Sequence, residues 1–134
     1  SRNNGAPSRL FLQNSGGNVG INSNAAEPLA ALDVNGTVKF GSAGTVLAAV
    51  IKETVSTASL LIPANTTSVQ TYTISNTVTT ASVLVSPATA INAGLIIAYA
   101  RVSALGTVEV AYRNTTGAGI TLNSGINLFI TAIQ

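Results

Sequence analysis

The stretch "GLIIAYARVSALGTVEVAYRN", residues 94–114, decides the fold because two strand-like runs flank a glycine turn within it. Apolar residues occupy the even positions of both runs: Ile96, Ala98, Ala100, Val102, Val108, Val110 and Tyr112. A period of two is typical of a strand with one buried face. A three-residue loop, Ala104-Leu105-Gly106, with Gly106 in the left-handed conformation of a bulge, sets Val102 opposite Val108. The two apolar sets then share one face.

This register also assigns the polar residues of the hairpin. It sets Arg101 opposite Glu109, and a cross-strand pair of this kind contributes about 0.2–1 kcal/mol without needing a ligand. Tyr112 falls with the apolar set and is predicted to lie in the core. Tyr99 lies on the opposite face, with Arg101, and is predicted to point outward.

The rest of the chain after residue 44 also reads as β-structure. Runs rich in Val, Ile, Thr and Tyr alternate with turn residues: "TVLAAVIKE", "ASLLI", "SVQTYTIS", "ASVLVS" and "INLFITAI". Seven or eight strands in about 90 residues predict an all-β domain, a β-sandwich or jelly roll, over residues 45–134. "TVLAAVIKET" also fits a helix, because Leu47, Val50 and Ile51 share a helical face, but its β-branched residues favour a strand.

Composition excludes several classes of function. The 134 residues include six basic and four acidic side chains, and a net charge of +2 is too small to indicate nucleic-acid binding. Cys and His are absent, so neither a disulfide framework nor the usual ligands of a transition metal are present. We expect no cofactor and no metal. Apolar runs fall short of the roughly 20 residues of a membrane span, so no membrane insertion is expected.

Residues 1–44 differ from the rest, and we place the boundary at "GSAGT", Gly41 to Thr45. They are rich in Gly and Asn, with short strand-like pieces such as "RLFLQ", "NVGIN", "ALDV" and "TVKF". A segment of about 40 residues buries too little apolar surface to fold alone unless cross-links or partners assist it. Without Cys, the partners of this segment must be other chains.

The stretch "GNVGIN…EPLAALDVNGTVKF" resembles a motif of bacteriophage tail-fibre and related virion-fibre proteins, in which N-V-G-I-G-T is followed by Pro and then by L-x-V-x-G. The matching positions are Asn18, Val19, Gly20, Ile21, Pro28, Leu32, Val34 and Gly36. The sequence departs from the motif at Asn22 and Ser23, where Gly and Thr are usual. The resemblance covers residues 17 to 40.

The resemblance implies a distal shaft segment ahead of a terminal domain, in a parallel homotrimer on the outside of a virion, on its tail or head. Its partners would be the upstream fibre shaft and other virion proteins. The predicted trimer interface of the shaft is Leu10, Leu12, Val19, Ile21, Leu32, Val34, Val38 and Phe40. Few charges suit such a filament, because like charges stacked around a three-fold axis repel each other.

Asn35-Gly36 is predicted to form a tight turn that accepts positive φ. A plain two-residue hairpin would set Leu32 against Lys39. The turn is therefore expected within a wider loop, or its flanking strands pair with neighbouring chains.

The second part of the chain, from "ANTTSVQTYTI" to "AYRNTTGAGIT", resembles small β-domains of phage structural proteins. We therefore expect a structural fibre protein whose terminal domain mediates trimerisation and attaches to a host-surface glycan or protein. The candidate receptor contacts are exposed aromatic, basic and polar residues: Tyr99, Arg101, Arg113, Asn114, Thr115 and Thr116.

Two rival functions follow from the same residues. A head-fibre or capsid decoration protein is the structural alternative. A depolymerase tip is the enzymatic one, and it would need two carboxyl groups about 5–10 Å apart around a sugar. The four acidic residues are scattered: Glu27, Asp33, Glu53 and Glu109. We therefore expect no catalytic residues and no enzyme.

Overall fold

A computed structural model describes residues 19–21 and 30–134, which are all-β. The chain divides into two compact units, Ser1–Val46 and Leu47–Gln134. The predicted all-β class is confirmed, and so is the strand prediction for "TVLAAVIKET", which contains the strand Val46–Leu47 and most of the strand Val50–Ser56.

The first unit contains very short strands. β1 (Val19–Ile21) pairs in parallel with β2 (Leu32–Val34). β3 (Val38–Lys39) pairs with β4 (Val46–Leu47), whose first residue is the last of this unit. The strands that flank Asn35-Gly36 therefore pair with different partners rather than with each other. Gly36 has a φ of 159°, close to extended. Asn35 and Gly36 form a bend between β2 and β3, and the plain two-residue hairpin, which the sequence disfavours, is absent.

The second unit contains eight strands: β5 (Val50–Ser56), β6 (Leu60–Ile62), β7 (Thr67–Thr73), β8 (Ser82–Pro87), β9 (Leu95–Ala104), β10 (Thr107–Asn114), β11 (Ile120–Leu122) and β12 (Asn127–Ile133). They form two three-stranded antiparallel sheets, in the orders β7-β10-β9 and β5-β12-β8, and a two-stranded sheet of β11 and β6. In the second three-stranded sheet the central strand, β12, is the most apolar of the three.

One hydrophobic core takes side chains from all three of these sheets. Alternate residues of β10 and β12 point into it, and the fully buried members from these strands are Val108, Val110, Tyr112, Leu128 and Ile130. Burial of each such side chain stabilises the fold by about 1.5–3 kcal/mol. The predicted core position of Tyr112 is confirmed.

The β9–β10 hairpin has the predicted register near its tip. Val108 lies opposite Val102, and Glu109 lies opposite Arg101. Gly106 has a φ of 70°, in the left-handed region. The loop between the two strands is one residue shorter than predicted, because Ala104 pairs with Thr107. A register shift between Thr107 and Val108 then sets Val108 opposite Val102, as predicted.

Farther from the tip, a second register shift changes which side chains of β9 point into the core. It falls between Ala111 and Tyr112, so that Tyr112 lies opposite Ile97. Beyond a one-residue bulge every side chain changes face. Ile96, predicted on the core face, is therefore exposed, and Leu95 is buried instead.

A series of hydrogen bonds runs from the core to the surface. The Tyr112 and Tyr72 hydroxyls lie 3.1 Å apart, and the Tyr72 hydroxyl donates to Gln70 Oε1 at 2.6 Å. The Gln70 amide in turn bonds to the backbone of Ala58. Burial raises the pKa of both tyrosines above the usual value, so both remain protonated donors.

Candidate functional site

The outer face of the β7-β10-β9 sheet carries the polar and aromatic residues predicted from the hairpin. We call it the tyrosine face and define it by Val69, Thr71, Tyr99, Arg101, Glu109, Ala111 and Arg113. The pairing register arranges it in rows. Thr71, Glu109 and Arg101 form one row, and the next row consists of Val69, Ala111 and Tyr99.

Glu109 organises the centre of this face. Its Oε1 accepts a hydrogen bond from the Tyr99 hydroxyl at 2.9 Å and one from Arg101 Nε at 3.2 Å. The hydrogen bond from Tyr99, and then that from Arg101, lower the pKa of the Glu109 carboxyl. The same contact with Glu109 raises the pKa of the Tyr99 hydroxyl and of the Arg101 guanidinium. All three groups therefore keep their usual protonation states at neutral pH.

The two side chains of the ion pair, Glu109 and Arg101, differ in their exposure to solvent. The Glu109 side chain is 14% exposed, whereas the Arg101 side chain is 62% exposed. Arg101 contacts Glu109 through Nε. Its terminal nitrogens donate to no side chain in the part of the chain that the structure describes. A guanidinium fixed in this way offers an outward fork to a carboxylate or phosphate.

The Tyr99 ring is the aromatic surface of the site. It is exposed and lies beside Ala111, which is fully buried although it belongs to the outer face. The accessible part of this row is therefore the Tyr99 ring, because neighbouring atoms cover Ala111. Aromatic rings with a polar end are frequent at binding surfaces. The arrangement is suited to binding.

Of the predicted residues at the end of β10, Arg113 lies on the tyrosine face, opposite Thr67 of β7 and Ile96 of β9. Asn114 does not: it is fully buried. Its prediction as a receptor contact is wrong. The period of two that buries Val110 and Tyr112 continues for one more residue, so the same pattern in the sequence could have placed Asn114 inside.

Asn114 shapes the loop that follows β10. Its Nδ2 donates to the carbonyl oxygens of Ile62 at 3.0 Å and Ala118 at 2.7 Å, and its Oδ1 accepts from the backbone N–H of Thr116 at 2.8 Å. The amide of Asn114 thereby provides hydrogen-bond partners for backbone groups that a loop does not pair by itself. Thr115 stays exposed, and Thr116 is half-buried in the loop.

Gly94 allows this loop to approach the start of β9. Its φ is 87°, and a Cβ atom there would lie 2.6 Å from Thr116 Cγ2. The Thr115 hydroxyl and backbone N–H both donate to the Gly94 carbonyl, at 3.0 and 2.9 Å. Both the backbone conformation and the lack of space require glycine at this position.

The strand β7 completes the tyrosine face, and sequence reasoning missed its contribution. Val69 and Thr71 lie opposite Ala111 and Glu109. The alternation in "SVQTYTIS" identifies β7 as a strand, yet nothing local in the sequence indicates that it pairs with β10, about 40 residues away.

The predicted shaft residues lie in the first unit, where the structure describes them. Val19 pairs with Leu32, and Ile21 pairs with Val34. Ile21, Leu32 and Phe40 are exposed in the single chain, and Phe40 is 72% exposed. Val38 is half-buried in β3. Leu10 and Leu12 lie outside the described residues.

The described residues contain no group of His, Cys, Asp and Glu that could hold a metal ion. Over the same residues, no helix has the length and apolarity needed to cross a membrane. No protein family, curated protein or solved structure matches the chain.

Proposed function

We propose that the chain is the distal part of a virion fibre, on a phage tail or head. In this proposal the first unit joins three copies into a shaft, and the second unit is a terminal knob that attaches to a host surface. The attachment is by binding and involves no catalysis.

The exposed apolar side chains of the first unit carry this proposal. Ile21, Leu32 and Phe40 are large, apolar and exposed in a single chain, and the strands in the described part of this unit contain two or three residues each. Water contact with apolar surface costs about 25 cal/mol per Å². Association of copies removes that cost, and the likeness of residues 17–40 to the fibre motif favours three parallel copies.

We further propose that the knob is a β-sandwich with the β7-β10-β9 and β5-β12-β8 sheets as its layers. Support comes from the shared core, to which Tyr72, Val108 and Tyr112 of one sheet and Leu128 and Ile130 of the other contribute. Two sheets that bury the same cluster fit a sandwich. A knob of this kind needs no metal or cofactor.

The tyrosine face is the proposed attachment site. It presents the Tyr99 ring together with the outward fork of Arg101 and the side chain of Arg113, and Thr115 and Thr116 lie in the loop beyond. Rings and guanidinium groups bind sugars and acidic groups without performing chemistry on them. Glu109 is held ionised by two hydrogen bonds, which favours a binding role over proton transfer.

Light scattering on a sizing column tests the assembly. The expected mass is about three times 13.4 kDa, unchanged on dilution because the apolar shaft surfaces are buried between copies. A monomer at all concentrations would contradict the fibre proposal.

A binding assay tests the attachment site. The labelled 134-residue chain is added to intact bacterial cells and to an array of their purified surface polysaccharides. Saturable binding is expected for the wild type, with loss of binding for Tyr99→Ala. Leu105→Ala is the matched control, because Leu105 is an exposed side chain at the tip of the same hairpin, outside the tyrosine face. Binding to purified capsids instead would favour the decoration role.

A further inference from the structure

The strand β9 contains a bulge at the tyrosine face. Ala111 of β10 lies opposite Tyr99. The next residue of β10 lies opposite Ile97, so Ala98 has no partner on β10. Ala98 and Tyr99 are both exposed, whereas the side chains of a regular strand alternate between two faces. Bulges redirect side chains and are frequent beside functional sites. This bulge falls at the exposed aromatic ring of the face.

The Tyr99 ring is held at its hydroxyl end. Tyr99 lies in the row of Ala111, and its hydroxyl donates to Glu109 in the next row. The ring therefore leans along the sheet, and Tyr99 remains 45% exposed. A side chain that is already fixed loses little freedom when a ligand stacks on it, so the cost of ordering it on binding is small.

The charges of the tyrosine face favour an anion. The face carries two guanidinium groups and one carboxylate, those of Arg101, Arg113 and Glu109. Arg113 lies four residues beyond Glu109 along β10, so its row is about 13 Å from the row of Arg101 and Glu109. The row of Tyr99 lies between these two rows. An extended chain that runs along the strands would therefore meet a guanidinium, an aromatic ring and a second guanidinium in that order.

We infer that the tyrosine face binds an acidic glycan, in which a sugar ring stacks on Tyr99 and the anionic group of that sugar binds the terminal nitrogens of Arg101. This inference rests on the proposed attachment site and names its ligand class. The C–H groups of a sugar ring pack against the negative face of an aromatic ring. The fork of a guanidinium matches the oxygens of a carboxylate or phosphate. Because Nε is bonded to Glu109, the fork is oriented before the ligand arrives.

Chemical neutralisation of the glycan tests the ligand class. The probe is the purified surface polysaccharide of cells that the 134-residue chain binds, immobilised in three forms: native, with its carboxyl groups reduced to alcohols, and with its phosphate groups removed by hydrofluoric acid. Binding should fall on the order of tenfold for at least one treated form, because charge-assisted hydrogen bonds are lost. Loss with the carboxyl-reduced form identifies a carboxylate as the anion, and loss with the dephosphorylated form identifies a phosphate.

Substitutions at Arg101 locate the anion on the tyrosine face. Arg101→Gln should weaken binding to the native form by a similar factor and remove the difference between native and treated forms. Arg101→Lys keeps the charge without the fork and should also bind more weakly than the wild type. Lys52→Gln is the matched control, because it removes one exposed positive charge from the other three-stranded sheet, and it should bind like the wild type. Circular dichroism checks that each variant is folded.

The outcomes separate this inference from the proposed function. Equal binding to all three forms, or binding to cells but to no form of the polysaccharide, would overturn the inference and leave the proposed attachment standing. Equal losses for Arg101→Gln and Lys52→Gln would also overturn it, because they would indicate a general attraction to positive charge. A chain that binds neither cells nor polysaccharide would overturn both the inference and the attachment role.

Discussion

The two units of the chain use β-structure in opposite ways. Strands β1 to β4 contain two or three residues each, and large side chains of the first unit, such as Leu32 and Phe40, are exposed. Strands in the second unit contain up to ten residues and enclose a core with fully buried Tyr, Leu, Ile and Val. A strand of three residues has too few side chains to form a buried layer. Stability of the second unit therefore depends on its own core, and that of the first, in our proposal, on the presence of other chains.

The largest expected change in the stability of the second unit is for a substitution at Leu128. Leu128→Ala removes a fully buried side chain from the central strand β12 and leaves a cavity, so the free energy of unfolding should fall by about 2–5 kcal/mol. Urea unfolding followed by circular dichroism measures the change. Leu105→Ala, at an exposed hairpin tip, should leave the midpoint within error. Equal effects of the two substitutions would contradict a core built around β12.

A smaller loss is expected at Asn114. Asn114→Ala removes the side-chain hydrogen bonds to the carbonyl groups of Ile62 and Ala118 and to the N–H of Thr116, at a cost of about 1–3 kcal/mol. The same unfolding experiment measures it. Asn123→Ala is the control, because the Asn123 side chain is exposed and bonds to no described residue. If both variants unfold at the wild-type midpoint, the buried amide does not support the loop.

The pH dependence of unfolding tests Glu109. Its carboxyl pKa is lower in the folded protein than its usual value, so the stabilisation is complete above the usual value and is lost as pH falls through the lowered one. Glu109→Gln should remove that acid-induced loss and flatten the stability curve on the acid side. Glu53→Gln removes a carboxylate from the other sheet and is the charge control. The effect should be small because the ion pair is near the surface.

The smallest effect on unfolding of the second unit is expected at Phe40. Phe40→Ser removes an exposed side chain of the first unit, so the midpoint of the second unit should not change. The mass measured by light scattering should instead fall from the trimer towards 13.4 kDa on dilution. Lys39→Ser, on β3, is the neighbouring control. A trimer that persists in Phe40→Ser at every dilution would place the assembly contacts elsewhere.

Much of the second unit could be predicted from sequence because the period of two is a local signal. It predicted the strands, the burial of Tyr112, the outward position of Tyr99 and the pairing of Arg101 with Glu109. It predicted the wrong face for Ile96. A single-residue bulge in β9 reverses the inward and outward positions beyond it, and the amino-acid sequence gives no local sign of the bulge.

Other errors arose where the structure depends on distant residues. The strands on either side of Asn35-Gly36 pair with β1 and β4, and the dipeptide alone does not indicate which partners they take. The contribution of Val69 and Thr71 to the tyrosine face depends on the pairing of β7 with β10 across about 40 residues. The amide side chain of Asn114 favours a surface position by residue type, although its position in the alternation places it inside.

The placement of the three tyrosines has a practical consequence. The chain contains no Trp, so Tyr72, Tyr99 and Tyr112 provide nearly all of its near-ultraviolet absorption and emission. Tyr72 and Tyr112 are joined in the core, whereas Tyr99 is alone on the outer face. A Tyr99→Phe chain would carry only the two core chromophores. The difference between its spectrum and that of the wild type isolates one optical signal at the proposed attachment site, without any added dye.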